Sequence, residues 1–225
     1  MPHEIEIKLR IADVDALRGK LARLGARPAL RGIGRVHEWN VVFDTTDGDL
    51  KKRGQLLRLR TETLPRGKRS PAGGGSRIRA ILTFKRPIRG NATAGTQRRT
   101  ARRHKIREEI ELPVSDPAEV TKILGCLGLR VMFQYEKFRT TFCLPPSKTW
   151  AKGLLIELDE TPIGTFVELE GPPQAIDRVA AALGFAKKDY ITTNYLVLYR
   201  DDRSRRGKKP GDMTFRDTSV LKNWR

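Results

Sequence analysis

The sequence predicts an α+β protein whose core is an antiparallel β-barrel. Segments of strict two-residue alternation recur along the chain, and each reads as a strand with one apolar face. Few helical segments interrupt them, and the strand-helix-strand rhythm of a parallel sheet is missing. His3 to Ile11 sets the pattern: Ile5, Ile7, Leu9 and Ile11 share one face, and Glu4, Glu6, Lys8 and Arg10 the other. A helix follows from Asp13 to Leu24, opened by an aspartate suited to capping and stopped by Gly25. Alternation returns at Leu56–Arg60, Arg77–Lys85 and Ile106–Leu112. A second helix spans Asp116 to Leu127, with Pro117 in its first turn and Gly128 beyond its end. Strands at Glu136–Phe142, Leu154–Glu160 and Phe166–Glu170 precede a third helix, Pro173 to Leu183, stopped by Gly184. The amphipathic stretch Asp189 to Tyr199 reads as helical, though its pattern also admits other structure. Glu6 lies seven residues before Asp13 and nineteen before Gly25, and Glu109 stands at the same distances from Asp116 and Gly128. The strand-helix unit therefore occurs twice in register, as two halves of a pseudo-repeat would.

Composition bounds what such a barrel does. The 225 residues suffice for one large domain or two small ones. No apolar run approaches the roughly 18 residues of a spanning helix, and the start lacks the order of a secretory signal, so a cytoplasmic protein without a membrane partner is expected. Two cysteines, Cys126 and Cys143, exclude a disulfide framework and a cysteine-based zinc site, and three histidines leave little for a His-centred machine. The loudest signal is charge: 45 Lys and Arg against 26 Asp and Glu leave +19 and call for an anionic partner. Between Glu62 and Glu108 there are fourteen Lys or Arg, Arg98, Arg99, Arg102 and Arg103 among them, and no acid. Much of that stretch, Leu64–Ser76 and Pro87–Gln97, is rich in Gly, Pro and Ser and reads as loop. Residues 201–225 form a second basic segment, expected to be a mobile tail after a domain covering 1–200. These loops and the tail would bind nucleic acid or polyphosphate weakly.

The non-apolar strand faces are charged at almost every position. On one strand that describes a solvated sheet surface, but here it recurs on strand after strand. If the sheet closes with these faces inward, its lumen holds carboxylates (Glu4, Glu6, Glu109, Glu111, Asp159, Glu168, Glu170) and cations (Lys8, Arg58, Arg60, Lys85, Arg107, Lys137, Arg139) together. Either set alone would repel itself, so a closed interior needs both, and ligands of both signs. Hard divalent ions take carboxylate oxygens, while Arg and Lys take phosphate oxygens. The mixed lumen reads as a cage for a metal-bound polyphosphate.

These residues resemble the CYTH family, the triphosphate tunnel metalloenzymes, over about residues 1 to 200. Glu4-Ile5-Glu6-Ile7-Lys8 is similar to its ExExK opening, Val42-Phe43-Asp44-Thr45 to its aromatic strand end, and Arg53-Gly54 with Leu57-Arg58-Leu59-Arg60 to its RG and LRxR strand. Thr83-Phe84-Lys85, Arg107-Glu108-Glu109-Ile110-Glu111, Lys137-Phe138-Arg139, Leu158-Asp159 and Gly164 to Glu170 resemble its later motifs in the same order. The resemblance implies an eight-stranded antiparallel tunnel with flanking helices that binds a triphosphate and Mg2+ or Mn2+. It implies metal ligands at Glu4, Glu6, Glu168 and Glu170, with Glu109, Glu111 and Asp159 either joining them or orienting the cations. It implies phosphate contacts from Lys8, Arg58, Arg60, Lys85, Arg107, Lys137 and Arg139. Activities in the family include hydrolysis of inorganic triphosphate, thiamine triphosphate or RNA triphosphate ends, and ATP cyclisation in the class IV adenylyl cyclases. A triphosphatase is the expected activity, with a class IV-type adenylyl cyclase and a non-catalytic polyphosphate or nucleic-acid binder as alternatives. Val42 stands where the family often has Tyr, so no catalytic residue follows from the resemblance, and the oligomeric state stays open.

Overall fold

The computed structural model describes residues 3–29, 34–64, 77–88 and 104–215. In chain order the strands are β1 (His3–Ile11), β2 (Arg27–Pro28), β3 (Val36–Thr45), β4 (Leu56–Leu64), β5 (Arg77–Pro87), β6 (Lys105–Val114), β7 (Leu129–Cys143), β8 (Leu155–Thr161) and β9 (Gly164–Glu170). The helices are α1 (Val14–Arg23), α2 (Asp49–Lys52), α3 (Pro117–Cys126), α4 (Pro173–Ala182) and α5 (Tyr195–Arg205). The strands hydrogen-bond in the order β7-β3-β4-β5-β6-β1-β9-β8, and β8 pairs back to β7. The result is a closed eight-stranded barrel in which every pairing is antiparallel, with β2 added beside β7.

The barrel is apolar on the outside of its wall and charged within. Ile7, Leu9 and Ile11 of β1 join Val167, Leu169, Ile156 and Leu158 against Leu17 and Leu21 of α1 and Ile176, Val179 and Ala180 of α4. On the opposite side α3 lays Leu124 and Val120 over Phe43, Leu59 and Leu82. Period-two alternation thus serves two surfaces at once, burying aliphatic side chains under helices and turning the alternate residues into the lumen. Both helices of the pseudo-repeat are capped as their sequences predict. Asp13 accepts the Ala16 N–H at 2.9 Å, and Asp116 accepts those of Ala118 and Glu119 at 2.9 and 3.0 Å. Gly25 and Gly128, at φ of 71° and 81°, end them in the left-handed conformation that glycine adopts without strain.

Three segments add to or depart from the sequence reading. The ten residues of β3 escape the alternation, because Trp39, Val41 and Val42 blur the polar and apolar faces, and a bulge between Val42 and Phe43 shifts the register. The last helix starts at Tyr195, not Asp189: Asn194 caps it by accepting the Val197 N–H at 3.0 Å, and Ile191 bridges to Lys8 of β1. Helix α5 runs across residue 200 to Arg205, and beyond it most side chains are exposed, with Met213 and Phe215 as the ones that pack. Met213 is fully buried among Phe133, Tyr135, Phe166, Tyr195 and Tyr199 and bridges to Tyr135, while Phe215 lies against Phe138. Charge dominates the tail's composition, but two well-placed apolar side chains decide its packing. Arg98, Arg99, Arg102, Arg103 and residues 216–225 lie outside the described residues, as do most of the two predicted loops. Among the described residues no helix is long and apolar enough to cross a membrane.

Candidate active site

The lumen holds a cavity of about 350 Å³ lined by nine Lys and Arg side chains and seven Glu. Thirteen of the fourteen residues singled out from the sequence line it, from all strands of the barrel except β3 and β8; the exception is Asp159 of β8, which lies behind the cations and is completely buried. Strand register explains the convergence: Lys8 stands opposite Glu168, Glu4 opposite Arg107, Lys85 opposite Glu109, and Arg139 opposite Asp159. Opposite charges face each other across neighbouring strands at most levels, which lets a charged interior close without a ligand.

Lys8 lies 3.1 Å from Glu6 and 3.0 Å from Glu168, and Glu6 also meets Lys105. Burial alone would raise the Glu6 carboxyl, but Lys8, Lys105 and Lys85 outweigh it and hold the group well below the usual carboxylate range. Glu168 is held down in the same way by Lys8, Lys137 and Arg139. Lys85 bridges Glu4 at 2.5 Å and Glu109 at 3.0 Å. The densest knot surrounds Asp159. Its two oxygens accept both prongs of Arg139 at 2.7 Å, Lys137 at 2.7 Å and the Tyr195 hydroxyl at 2.8 Å. Arg139 also meets Glu157 and Glu168. Asp159 thus holds Lys137, Arg139 and Tyr195 together, three donors on Oδ2 and one on Oδ1.

Two cations stand apart. Arg58 donates one N–H to the Tyr135 hydroxyl at 3.2 Å, and its Nε and second terminal nitrogen are buried without partners. Arg107 lines the cavity and makes no ion pair among the described residues. The buried open donors of Arg58 cost stability unless a ligand meets them, and the chemistry of both groups selects an oxyanion. Some carboxylates are open too. Glu4 Oε2 is buried without a partner. Burial, then the carboxylates of Glu157 and Glu4, push Glu170 up to about 8, and burial pushes Glu157 to about 7. Mutual repulsion of this kind is what a divalent cation relieves. Among the described residues no three such groups converge into a complete metal cage. The oxygen-only set at Glu4 and Glu170 fits an ion that takes its remaining ligands from water and phosphate, as Mg2+ does.

Sequence reading missed Glu38, Glu62, Arg79, Lys105, Tyr135, Glu157 and Tyr195. Glu38 is 2% exposed and sits between Arg60 and Lys137, each at 3.5 Å, and Arg139 at 3.6 Å; Glu62 holds Arg79 at 2.8 Å. Most lie two residues from a position already recognised, such as Glu157 beside Asp159 and Glu62 beside Arg60, so extending each alternation by one step finds them. Tyr195 reaches the lumen from a helix and carries no such signal.

The fold has solved counterparts. A Vibrio parahaemolyticus protein proposed to be an adenylate cyclase superposes with a TM-score of 0.62 at 16% identity, covering 89% of this chain and 97% of the other. A Pyrococcus horikoshii protein gives 0.63 at 21% identity, covering 89% and 99%. A Bacillus halodurans protein, also proposed to be an adenylate cyclase, gives 0.51 at 17% identity, covering 88% and 99%. None of the curated proteins compared matches the chain significantly. The CYTH domain model matches residues 2–188, which include all nine strands and every lumen residue except Asn194, Tyr195 and Leu196, and the chain belongs to the CYTH family.

Proposed function

We propose that the protein is a metal-dependent triphosphatase that binds an inorganic or organic triphosphate in the barrel lumen. The observation that carries this reading is the pair of uncompensated arginines, Arg58 and Arg107, in a cavity whose other cations are matched by carboxylates. Lys8, Lys85, Lys137, Arg60 and Arg139 are fixed by their carboxylate partners, so they present charge to phosphate oxygens with little reorganisation. Glu4 and Glu170 would hold Mg2+ or Mn2+, with Glu6 and Glu168 exchanging a lysine contact for the ion as it binds. When bound, the ion neutralises phosphate charge and makes a coordinated water more acidic. Phosphoryl transfer asks little covalent work of protein, so positioning and electrostatics carry the rate.

The same phosphate site would serve ribose attack in a cyclase, so products decide. Tripolyphosphate, ATP and thiamine triphosphate are incubated with Mg2+ and Mn2+ and the products resolved. The expected result is orthophosphate release from tripolyphosphate. Cyclic AMP and pyrophosphate from ATP would identify a cyclase, and no turnover on any of the three would leave a binder.

A further inference from the structure

Three strands of the barrel outrun a neighbour, and each leaves a length of open edge. Two of these edges are taken up by the chain itself. β1 pairs with β6 only from His3 to Glu6, and at Lys8 the edge meets Ile191 through backbone bonds of 2.8 and 2.9 Å. β7 pairs with β8 only from Phe138 to Phe142, and at Tyr135 the edge meets Met213, whose backbone bonds to Gln134 and Glu136 at 2.9 and 3.1 Å. The third edge belongs to β6. Its residues Glu109 to Val114 pair on one side with Lys85 to Ala80 of β5, and beyond Glu108 no described residue pairs with it on the other.

Backbone direction shows what this edge offers. Lys8 turns its N–H and C=O to Ile191, so by alternation Glu4 and Glu6 also face the β6 side. Their partners Arg107 and Lys105 face back toward β1, and the same alternation brings Glu109, Glu111 and Pro113 to the open side. Pro113 agrees with this, because a proline is tolerated in a ladder where its nitrogen points away from the neighbouring strand. The edge therefore presents the N–H groups of Glu109 and Glu111 and the carbonyls of all three residues.

Side chains give the edge two unlike faces. Ile110 and Leu112 stand outward, 49% and 59% exposed, beside Phe84 and Leu82. Their counterparts in the pseudo-repeat, Ile7 and Leu9, are completely buried under α1 and α4, whereas the cluster under α3 includes neither Ile110 nor Leu112. On the other face Glu111 is exposed; it accepts the Thr83 hydroxyl at 3.2 Å and meets no cation among the described residues. An open ladder edge flanked by exposed apolar side chains is a template for another strand. The connections 65–76 and 89–103 contain no Val, Leu, Ile, Met or aromatic residue to cover it. Two β6 edges joined antiparallel would gather Glu109 and Glu111 of both copies on one face, so like charge opposes self-pairing.

We propose that the β6 edge docks an extended segment of a partner protein, which adds an antiparallel strand with apolar side chains beside Ile110 and Leu112 and a Lys or Arg beside Glu111. The proposal is independent of the reaction carried out in the lumen. Main-chain bonds to Glu109 and Glu111 supply the pairing, and the alternation of apolar and basic residues supplies the selection.

The probes are three labelled heptapeptides with blocked ends: Thr-Val-Lys-Val-Lys-Val-Thr, its Glu-for-Lys counterpart and its Ser-for-Val counterpart. Fluorescence anisotropy with the full chain is read at about 0.15 M salt. A chain of net +19 attracts the acidic peptide by charge alone, so preference for the basic apolar one is the demanding outcome. It should bind at least about fivefold more tightly than either control and lose binding when both lysine amides are N-methylated. Leu112→Lys should weaken it at least about fivefold, and Glu111→Arg should reverse the preference toward the acidic peptide. Equal binding of the three peptides, tighter binding of the acidic one to the parent, or no binding at all overturns the proposal. So does a dimer in sedimentation that Leu112→Lys disperses, which gives the edge to a second copy. Binding that appears only after residues 216–225 are deleted gives it to the chain's own end and likewise overturns the partner.

Discussion

Arg58 and Arg139 are both buried guanidinium groups on inward strand positions, 6% and 8% exposed, yet their surroundings set them opposite tasks. Arg139 meets Glu38, Glu157, Asp159 and Glu168, so Arg139→Met leaves a cluster of buried carboxylates and should destabilise the fold by roughly 3–5 kcal/mol. Arg58 has no carboxylate partner, so Arg58→Met should leave stability within about 1 kcal/mol of the parent while weakening tripolyphosphate binding at least tenfold. Urea denaturation and calorimetry on both variants check this, and similar stability losses would remove the distinction. Glu170 supplies a pH test. With its pKa raised to about 8, the folded protein keeps a proton that the unfolded chain gives up near ~4.3. Stability at this site therefore falls as pH rises through that window, and the penalty is absent below it and complete above about 8. Glu170→Gln should match the parent at pH 4 and melt at a higher temperature at pH 9; parallel melting profiles across that range would contradict the assignment. Sequence alternation shows that Arg58, Arg139 and Glu170 face one side, because side-chain direction follows the two-residue repeat. It is silent on which of them finds a partner, because partners come from strands far apart in the chain: Arg139 and Glu38 are 101 positions apart by number.

At the scale of elements, the strands with one clean apolar face were legible, and so were the three helices with aspartate or proline starts and glycine stops. Elements whose burial depends on distant neighbours were not. β3 carries Trp39 and Val42 on faces that a simple alternation assigns differently, and its inward Glu38 makes sense only beside Lys137 and Arg60. The segment after α5 reads as solvated charge until β7 is in place. Then Met213 fills a pocket between Phe133, Tyr135 and Tyr199, and its backbone bonds to Gln134 and Glu136. A fully buried methionine of this kind contributes as a core residue does, so Met213→Ala should cost about 2–5 kcal/mol and lower the melting temperature measurably. An unchanged melting temperature would restore the solvated-tail reading for this segment. The turn from β9 into α4 makes a similar point about a single residue. Gly171 has φ of 145°, and a Cβ there would meet the Gly153 carbonyl oxygen at 2.7 Å and Leu154 Cα at 2.9 Å. Gly171→Ala should push the end of β9 away from β8 and disturb Glu170 directly before it.

For the whole molecule, the location of charge matters more than its amount. The cavity's nine Lys and Arg are nearly balanced by its seven Glu together with Glu38, Glu62 and Asp159 behind them, so in formal charge the lumen contributes almost nothing to the net +19. Described cations outside the lumen, Arg18, Lys122 and Arg206 among them, are exposed, where water and salt screen them. Inside, the ion pairs are buried and less screened. The two populations should act on different steps of binding. Outer charge draws a polyanion toward the protein from a distance, a rate effect that can reach tenfold or more at low salt. Lumen charge sets how long the anion stays. Raising salt from about 0.05 to 0.5 M should therefore slow tripolyphosphate association by roughly tenfold and leave its dissociation rate within about twofold, as read by stopped-flow binding. A dissociation rate that climbs with salt as steeply as association falls would mean that the bound anion sits on screened surface charge, and the lumen would lose its claim to be the site.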